Sequence, residues 1–183
     1  MKKTVELGFF LAVALILSYV ESLIPISFGI PGIKLGLPNA VVVLLLYDQE
    51  AVGLGNTVTE ENTKVTSGSV KEAVLVNSLR IVLSGFLFSN FYTILYALSG
   101  AVFSLTAMLI GRKLNCFSVV GVSVLGGVFH NVGQILVAMF VVETFAVSYY
   151  LPFLIISGTL TGALLGLIVM EITPYLMHFR QYY

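Results

Sequence analysis

Charge is scarce in this chain. Only 10% of its 183 residues are charged and 58% are hydrophobic, whereas a soluble domain carries about 25% charged residues. Several apolar runs approach the roughly 20 residues that a membrane-spanning helix needs. The composition therefore predicts an integral membrane protein. The formal net charge is zero, so nothing favours a nucleic-acid partner.

Cysteine pairs, metal-binding clusters and catalytic motifs are also missing. Cys116 is the sole cysteine, which excludes an intrachain disulfide and a cysteine-based metal cluster. The only histidines, His130 and His178, are far apart in the sequence, so we predict no metal site. The sequence contains no nucleotide-binding loop, no D-D-x-x-D motif and no nucleophile–base pair. These absences argue against an ATPase and a self-contained prenyltransferase, and they imply no cofactor and no catalytic residues.

The apolar runs predict an all-α membrane protein with six transmembrane helices in one domain, residues 1–183. The expected spans are residues 4–24, 37–47, 70–88, 91–111, 117–142 and 151–175. A polar insert at about residues 48–69 separates the second span from the third. We interpret it as a mobile cytoplasmic loop, with a short β-hairpin as the alternative.

The positions of Lys and Arg predict the orientation of these spans. With the N-terminus inside, the cytoplasmic connections and ends hold Lys2, Lys3, Lys64, Lys71, Arg112, Lys113 and Arg180, and the outer connections hold only Lys34. Cytoplasmic loops carry the excess of Lys and Arg. We therefore expect a plasma-membrane protein with both termini in the cytoplasm.

An apolar loop, residues 25–39, separates the first two predicted spans. Pro25, Pro31 and Pro38 lack amide donors and prevent a helix, yet most of the remaining side chains are apolar and Lys34 is the only charge. Irregular backbone at membrane depth persists only where protein or a water-filled cavity covers it. We interpret this loop as an outer re-entrant lid over a ligand site.

The third span carries a polar stripe. Asn77, Arg80 and Ser84 are spaced i, i+3 and i+7, which places them on one face of a helix. The guanidinium of Arg80 cannot deprotonate, and its planar donors suit a carboxylate or a phosphate. The alternative is a structural ion pair with Glu21 or Glu143.

The fifth span carries the densest polar cluster, consisting of His130, Asn131 and Gln134 among several glycines. A lone buried histidine is usually hydrogen-bonded within the core. Three close polar side chains beside bare backbone instead favour a lined cavity, because an unpaired polar group inside a bilayer costs several kcal/mol.

Polar residues near the outer ends of other spans extend this candidate site. We expect Glu21 to pair with Lys34 or Arg80, unless it simply reaches the outer interface. Asn39 and Asn90 are placed to rim the cavity, although Asn39 also suits local turn chemistry. The predicted ligand-binding set is Glu21, Lys34, Asn39, Asn77, Arg80, Ser84, Asn90, His130, Asn131 and Gln134.

Four segments carry a family resemblance. They are Ser18-Tyr-Val-Glu-Ser-Leu-Ile-Pro25, Pro31-Gly-Ile-Lys-Leu-Gly-Leu-Pro-Asn39, Leu79-Arg-Ile-Val-Leu-Ser-Gly-Phe-Leu-Phe-Ser-Asn90 and His130-Asn-Val-Gly-Gln134. Together they resemble the Gx transporter family, long labelled heptaprenyl diphosphate synthase component I. That family is similar to the substrate-binding S components of energy-coupling factor (ECF) vitamin transporters. The resemblance implies a six-helix S-component-like bundle, an outer gating loop, and a scaffold subunit with two ATPases as partners.

The chain departs from that pattern in two places. The insert at residues 48–69 is longer than expected between the second and third helices. S components commonly dock through A-x-x-x-A on the first helix, whereas Ala12 and Ala14 are two apart. Gly8 with Ala12, and Ala14 with Ser18, keep the four-residue spacing with other small residues.

Three hypotheses of function follow. The first is an S-component-type binding and transport subunit for a small anionic, partly apolar ligand, such as a flavin, a quinone precursor or a prenyl-phosphate-like compound. The second is a non-catalytic membrane component of a polyprenyl (heptaprenyl) diphosphate synthase or of an extracellular electron-transfer assembly, with a soluble prenyl synthase or a redox protein as partner. The third, a stand-alone enzyme with His130 as base, has the least support because no second catalytic group is evident.

Overall fold

The computed structural model describes residues 2–24, 34–47 and 67–182. The larger part of the predicted lid, residues 25–33, lies outside the described residues, as does all but the last three residues of the predicted insert. The segment proposed as a β-hairpin lies there too. Within the described residues 89% are helical and none forms a strand, which confirms the all-α prediction.

The described residues form six α-helices, which occupy the positions of the six predicted spans. They are α1 (Lys2–Leu23), α2 (Asn39–Tyr47), α3 (Ser67–Phe88), α4 (Phe91–Lys113), α5 (Val119–Val141) and α6 (Leu151–Tyr182), with a 3₁₀ helix at Phe145–Tyr150 just before α6. The largest difference from prediction is at the end of α6, which contains Pro174 and ends at Tyr182 instead of residue 175.

Four of these described helical segments are long and apolar enough to cross a membrane: Lys3–Leu23, Phe91–Lys113, Val119–Val141 and Phe145–Leu176. Large apolar side chains point away from the bundle, including Phe86 and Phe140, which are 81% and 84% exposed. Such an outward apolar surface is typical of lipid contact. The protein is therefore a multi-pass membrane protein.

The other two helices, α2 and α3, differ from these four in length or in polarity. The nine residues of α2 extend about 14 Å, roughly half of the ~30 Å hydrocarbon thickness. The 22 residues of α3 are long enough, but Lys71, Glu72, Asn77 and Arg80 lower its hydropathy. The prediction of six complete spans consequently stays a prediction.

The helices pack as two groups, which are joined through α2 and by a direct contact of α3 with α4. In one group α5 packs closely against α4 and α6, and in the other α1 packs against α3. The short helix α2 contacts α3 as well as α5 and α6, and Val41, Val43 and Leu46 are almost completely buried. Helix α2 thus forms the centre of the bundle, and the loop before it enters between the two groups.

Glycines allow α5 and α6 to touch backbone to backbone. A Cβ added at Gly127 would lie 2.3 Å from the carbonyl oxygen of Gly158, and one at Gly162 would lie 2.7 Å from Cα of Val124. Only glycine permits this approach, which small residues provide in membrane helices. Gly158 and Gly162, which are one turn apart on α6, therefore face the interior of the bundle.

At the opposite end from the predicted lid, a buried arginine closes the end of α2. Arg112, in the last turn of α4, donates a hydrogen bond from Nη1 to the carbonyl oxygen of Leu46. Its guanidinium carbon lies 4.9 Å from the ring centroid of Tyr47. The cation thus meets the negative end of the helix dipole and the face of an aromatic ring.

Candidate functional site

The polar stripe of α3 faces the interior of the bundle. Asn77, Arg80 and Ser84 are all buried, while Leu83 and Phe86 on the same helix are exposed. The amphipathic pattern of α3 is therefore the opposite of that of a surface helix in a soluble protein, because its polar side faces inward and its apolar side faces outward. This orientation agrees with the predicted spacing and places three polar groups where water is scarce.

Arg80 is the most demanding member of this stripe, because only 5% of its surface is exposed. Its Nη2 donates a 2.5 Å hydrogen bond to Oδ1 of Asn77, which is a neutral acceptor. Its Nε is buried without a hydrogen-bond partner. Among the described residues no carboxylate lies within ion-pair distance of the guanidinium. Within the described structure the buried guanidinium of Arg80 therefore lacks an adjacent counter-ion and an acceptor for Nε.

The carboxylate of Glu21 holds the end of the loop that precedes α2. Its Oε1 accepts a 2.5 Å hydrogen bond from the amide of Gly36 and a 3.1 Å bond from the amide of Leu37. Among the described residues Glu21 makes no ion pair with Lys34 or Arg80, although the charges of both act on it. The two adjacent loop amides take the carboxylate instead, because Gly36 turns at φ +85° and presents both donors to it.

Lys34 is fixed by two helices. The side-chain amide of Gln134 on α5 receives a 2.9 Å hydrogen bond from the backbone amide of Lys34 and returns a 3.0 Å bond to its carbonyl oxygen. The ammonium group donates a 3.0 Å bond to Oγ of Ser89, just after α3. Burial lowers the pKa of Lys34, with Arg80 lowering it further and Glu21 opposing the effect. The described end of the loop, residues 34–38, is consequently held by α1, α3 and α5.

His130 lies directly beneath this loop end. A Cβ added at Gly36 would lie 3.1 Å from Cδ2 of His130 and 2.9 Å from Nδ2 of Asn39. On its other side the ring packs on the backbone of Gly100 in α4, where an added Cβ would lie 2.7 Å from Nδ1. Nδ2 of Asn39 is buried without a hydrogen-bond partner. The loop end, α2, α4 and α5 therefore meet at His130.

The remaining predicted residues have more local roles. Asn131 is directed toward α6, where its Nδ2 donates a 2.7 Å hydrogen bond to the carbonyl oxygen of Leu154. Asn90 is exposed and caps α4 by accepting a 2.9 Å hydrogen bond from the amide of Thr93. Ser84 donates to the carbonyl oxygen of Ile81. These contacts hold helices in place and leave the cluster centred on Arg80.

The resulting site, which we call the Arg80 cluster, is defined by Glu21, Lys34, Asn39, Asn77, Arg80, His130 and Gln134. It joins α1, α3, α5 and the entry to α2, so it lies between the two groups of helices. Glu21, Lys34 and His130 all lie close enough to Arg80 for its charge to act on them. With two cations and one carboxylate, the described part of the cluster favours an anion.

Ser89 was missed by the sequence analysis, although it binds the only cation of the loop. Its signal in the sequence is weak, because a serine at the end of a helix usually belongs to the following turn. In the described part of the chain, no group of three or more His, Cys, Asp and Glu side chains is placed to hold a metal ion.

Residues 10–52 and 49–172 match the family described as heptaprenyl diphosphate synthase component I. The chain belongs to this family. No curated protein and no solved structure matches the chain. The matched residues include every member of the Arg80 cluster. The heptaprenyl diphosphate synthase component I family therefore accounts for the whole helical bundle except the first turns of α1 and the end of α6.

Proposed function

We propose that this protein is the membrane component of a prenyl diphosphate synthase system and that it binds an anionic, partly apolar ligand of the prenyl-phosphate class at the Arg80 cluster. The observation that carries the proposal is the burial of Arg80 without an acidic partner among the described residues. The family description names component I of a synthase, and a first component implies another. A separate catalytic component fits a chain that has no D-D-x-x-D motif.

The physical argument begins with the cost of a buried charge. Removing a guanidinium from water costs several kcal/mol unless an anion and further hydrogen bonds compensate it. In the described structure Arg80 has one neutral partner, Asn77 Oδ1, and an unused Nε donor. The planar donors of arginine match two phosphate oxygens at once. A phosphate group at Nε and Nη would supply the missing charge.

The surroundings of Arg80 fit the same ligand. Glu21 accepts hydrogen bonds from two loop amides and forms no ion pair with Arg80 among the described residues, so it compensates the charge of Arg80 only from a distance. Lys34 adds a second cation, and Asn39 Nδ2 adds a buried donor without a partner. These groups are donors, which is the complement of phosphate oxygens. The apolar helices around them suit a hydrocarbon chain better than a fully polar anion.

Binding at this site requires the loop end to open. Residues 34–38 are tied to Glu21, Gln134 and Ser89, and they cover His130 directly. Each contact is a hydrogen bond, worth about 0.5–3 kcal/mol depending on charge. These hydrogen bonds are therefore strong enough to keep residues 34–38 closed on average and weak enough for a ligand to displace.

A second function, the S-component type of binding and transport subunit, is favoured by one observation on α1. Gly8 and Ala12 are exposed one turn apart, and a Cβ added at Gly8 would meet nothing within 4 Å. A partner helix can approach such a bare surface closely. Affinity purification from the native cell separates the two functions, since transport requires a scaffold with ATPases and the synthase hypothesis requires a soluble prenyl synthase. If the protein is a transport subunit, the wild type should capture the scaffold and Gly8→Leu should abolish that capture.

The binding proposal is tested with the purified full-length protein in detergent. Farnesyl diphosphate, inorganic pyrophosphate, farnesol and flavin mononucleotide are compared by thermal shift and by titration calorimetry, because a ligand that binds the folded state raises its stability. We expect farnesyl diphosphate to bind most tightly. Farnesol lacks the diphosphate and tests whether binding needs the anion. Pyrophosphate lacks the hydrocarbon and tests whether binding needs the chain. Flavin mononucleotide tests the competing ligand class.

Arg80→Gln should lower the affinity for farnesyl diphosphate about 10- to 100-fold, because it removes charge-assisted hydrogen bonds worth about 1.5–3 kcal/mol. Lys71→Gln is the matched control, since Lys71 is an exposed cation on the same helix, and it should leave the affinity unchanged. Equal affinity of the wild type and Arg80→Gln would overturn the assignment of the site.

A further inference from the structure

An apolar groove runs along the outward surface between α4 and α5. Its volume is about 500 Å³, and it is lined by Val102, Phe103, Thr106, Ala107, Ile110, Gly111, Leu114, Phe117, Leu125 and Phe129. The one hydroxyl among them, on Thr106, donates a 2.8 Å hydrogen bond to the carbonyl oxygen of Val102. The groove thus offers no unused polar side chain and suits a hydrocarbon.

The length of the groove matches one leaflet of a bilayer. Its lining runs along α4 from Val102 to Leu114, the residue that follows the helix, and a helix rises 1.5 Å per residue, so the groove is roughly 18 Å long. One leaflet of a ~30 Å hydrocarbon core is about 15 Å thick. A chain lying in the groove would therefore extend from the middle of the bundle to the end of α4.

That end of the groove is positively charged. Lys113 follows Ile110 by three residues and lies on the same side of α4, and its side chain is exposed. Arg112 beside it is already bound to the end of α2. The sequence from residue 91 to residue 142 contains no Asp or Glu. Among the described residues Lys113 forms no ion pair, so its charge can reach a group outside the protein.

We propose that the α4–α5 groove binds one acyl chain of an anionic phospholipid, with the lipid phosphate beside Lys113. Hydrocarbon lining, leaflet length and a cation at the headgroup end are three separate features that one such lipid satisfies together. A transmembrane helix of a partner is the competing occupant of the groove, and the experiment below distinguishes it from a lipid. The site is separate from the Arg80 cluster, because the two sets of residues do not overlap.

The test measures lipid retained by the full-length protein released from nanodiscs that contain equal amounts of phosphatidylglycerol and phosphatidylcholine with identical chains. Native mass spectrometry should show retained phosphatidylglycerol in excess of phosphatidylcholine. Lys113→Gln should reduce that preference about fivefold, as expected for one basic side chain near an anionic headgroup. Lys113→Arg should preserve it, and Lys71→Gln, which removes an exposed cation from α3, should not change it.

Filling the groove should remove retention of both lipids. Ala107→Phe places a ring inside it, and Ala12→Phe adds the same ring to exposed α1 as the control. Val102→Phe provides a second filler at a side chain that is already 63% exposed, in case Ala107→Phe does not fold. Equal retention of the two lipids by the wild type, unchanged retention in a folded filler variant, or a dimer that needs an open groove would each overturn the proposal.

Discussion

The protein contains two buried arginines that are exposed to nearly the same extent, 5% for Arg80 and 6% for Arg112, but their surroundings differ. Arg112 lies at the end of the bundle, where the carbonyl oxygen of Leu46 and the ring of Tyr47 receive its charge. Arg80 lies in the middle of α3 with the side chain of Asn77 as its hydrogen-bond partner. Burial alone therefore does not distinguish a structural cation from a functional one.

The surroundings of each cation make the distinction. A cation at the C-terminal end of a helix is stabilised by the helix dipole, and an aromatic face adds cation–π attraction. Arg112 has both and serves to fix α2 against α4. Arg80 has neither, and the nearest described carboxylate is engaged by the loop. Under the proposed function, a ligand anion is the partner that this arrangement lacks.

The largest expected effect is on stability, at Arg112. Arg112→Met leaves the carbonyl oxygen of Leu46 without its donor, at about 1–3 kcal/mol, and removes a cation–π contact worth up to about 2 kcal/mol. We expect the unfolding free energy to fall by about 3 kcal/mol, which corresponds to roughly 6–12 °C for a chain of this size. Thermal unfolding in detergent measures it. A fall below 2 °C would show that Arg112 is not the structural member of the pair.

Glu21→Ala comes next, because it removes two charge-assisted hydrogen bonds to the loop. We expect a loss of about 2 kcal/mol and faster hydrogen exchange at the amides of Gly36 and Leu37. Glu21→Ala also tests whether Glu21 acts as the counter-ion of Arg80. In a double-mutant cycle with Arg80→Met, the coupling should stay below about 1 kcal/mol. A larger coupling would identify Glu21 as the structural partner of Arg80.

Gly36→Ala should have a smaller effect of about 1–2 kcal/mol. The residue adopts φ +85°, where an L-residue is strained, and the added methyl group would meet Asn39 and His130. The displaced loop end should also weaken binding of farnesyl diphosphate. Gly8→Ala is the matched control, because a Cβ there meets nothing within 4 Å. Unchanged ligand affinity in Gly36→Ala would show that the loop end does not cover the site.

The sequence predicted the helices well, because apolar runs bounded by polar or turn residues are unambiguous in a membrane protein. The spacing of Asn77, Arg80 and Ser84 correctly predicted their shared face. The partners were harder to predict. The binding of Glu21 to two loop amides depends on the turn at Gly36, and the pairing of Gln134 with the backbone of Lys34 depends on how α5 meets the loop. Neither contact has a periodic signal, because both join segments far apart in the chain.

Asn131 and Asn90 illustrate the same limit. Both are predicted as lining residues because they are polar and close to a span's polar face or outer end, and that role stays a prediction. The structure uses Asn131 to join α5 to α6 and Asn90 to cap α4. The direction in which a side chain faces around its helix decides between such roles. The identity of the residue alone does not reveal that direction.

The central claim is that the missing partner of Arg80 is a ligand anion, and the most direct measurement is the unfolding temperature of Arg80→Met with and without farnesyl diphosphate. Replacing a buried charge that lacks a counter-ion by an apolar side chain is commonly neutral or stabilising. We therefore expect that the variant without ligand unfolds at or above the wild-type temperature and that farnesyl diphosphate no longer raises this temperature. A variant destabilised as much as Arg112→Met, with its ligand-induced rise intact, would contradict the claim.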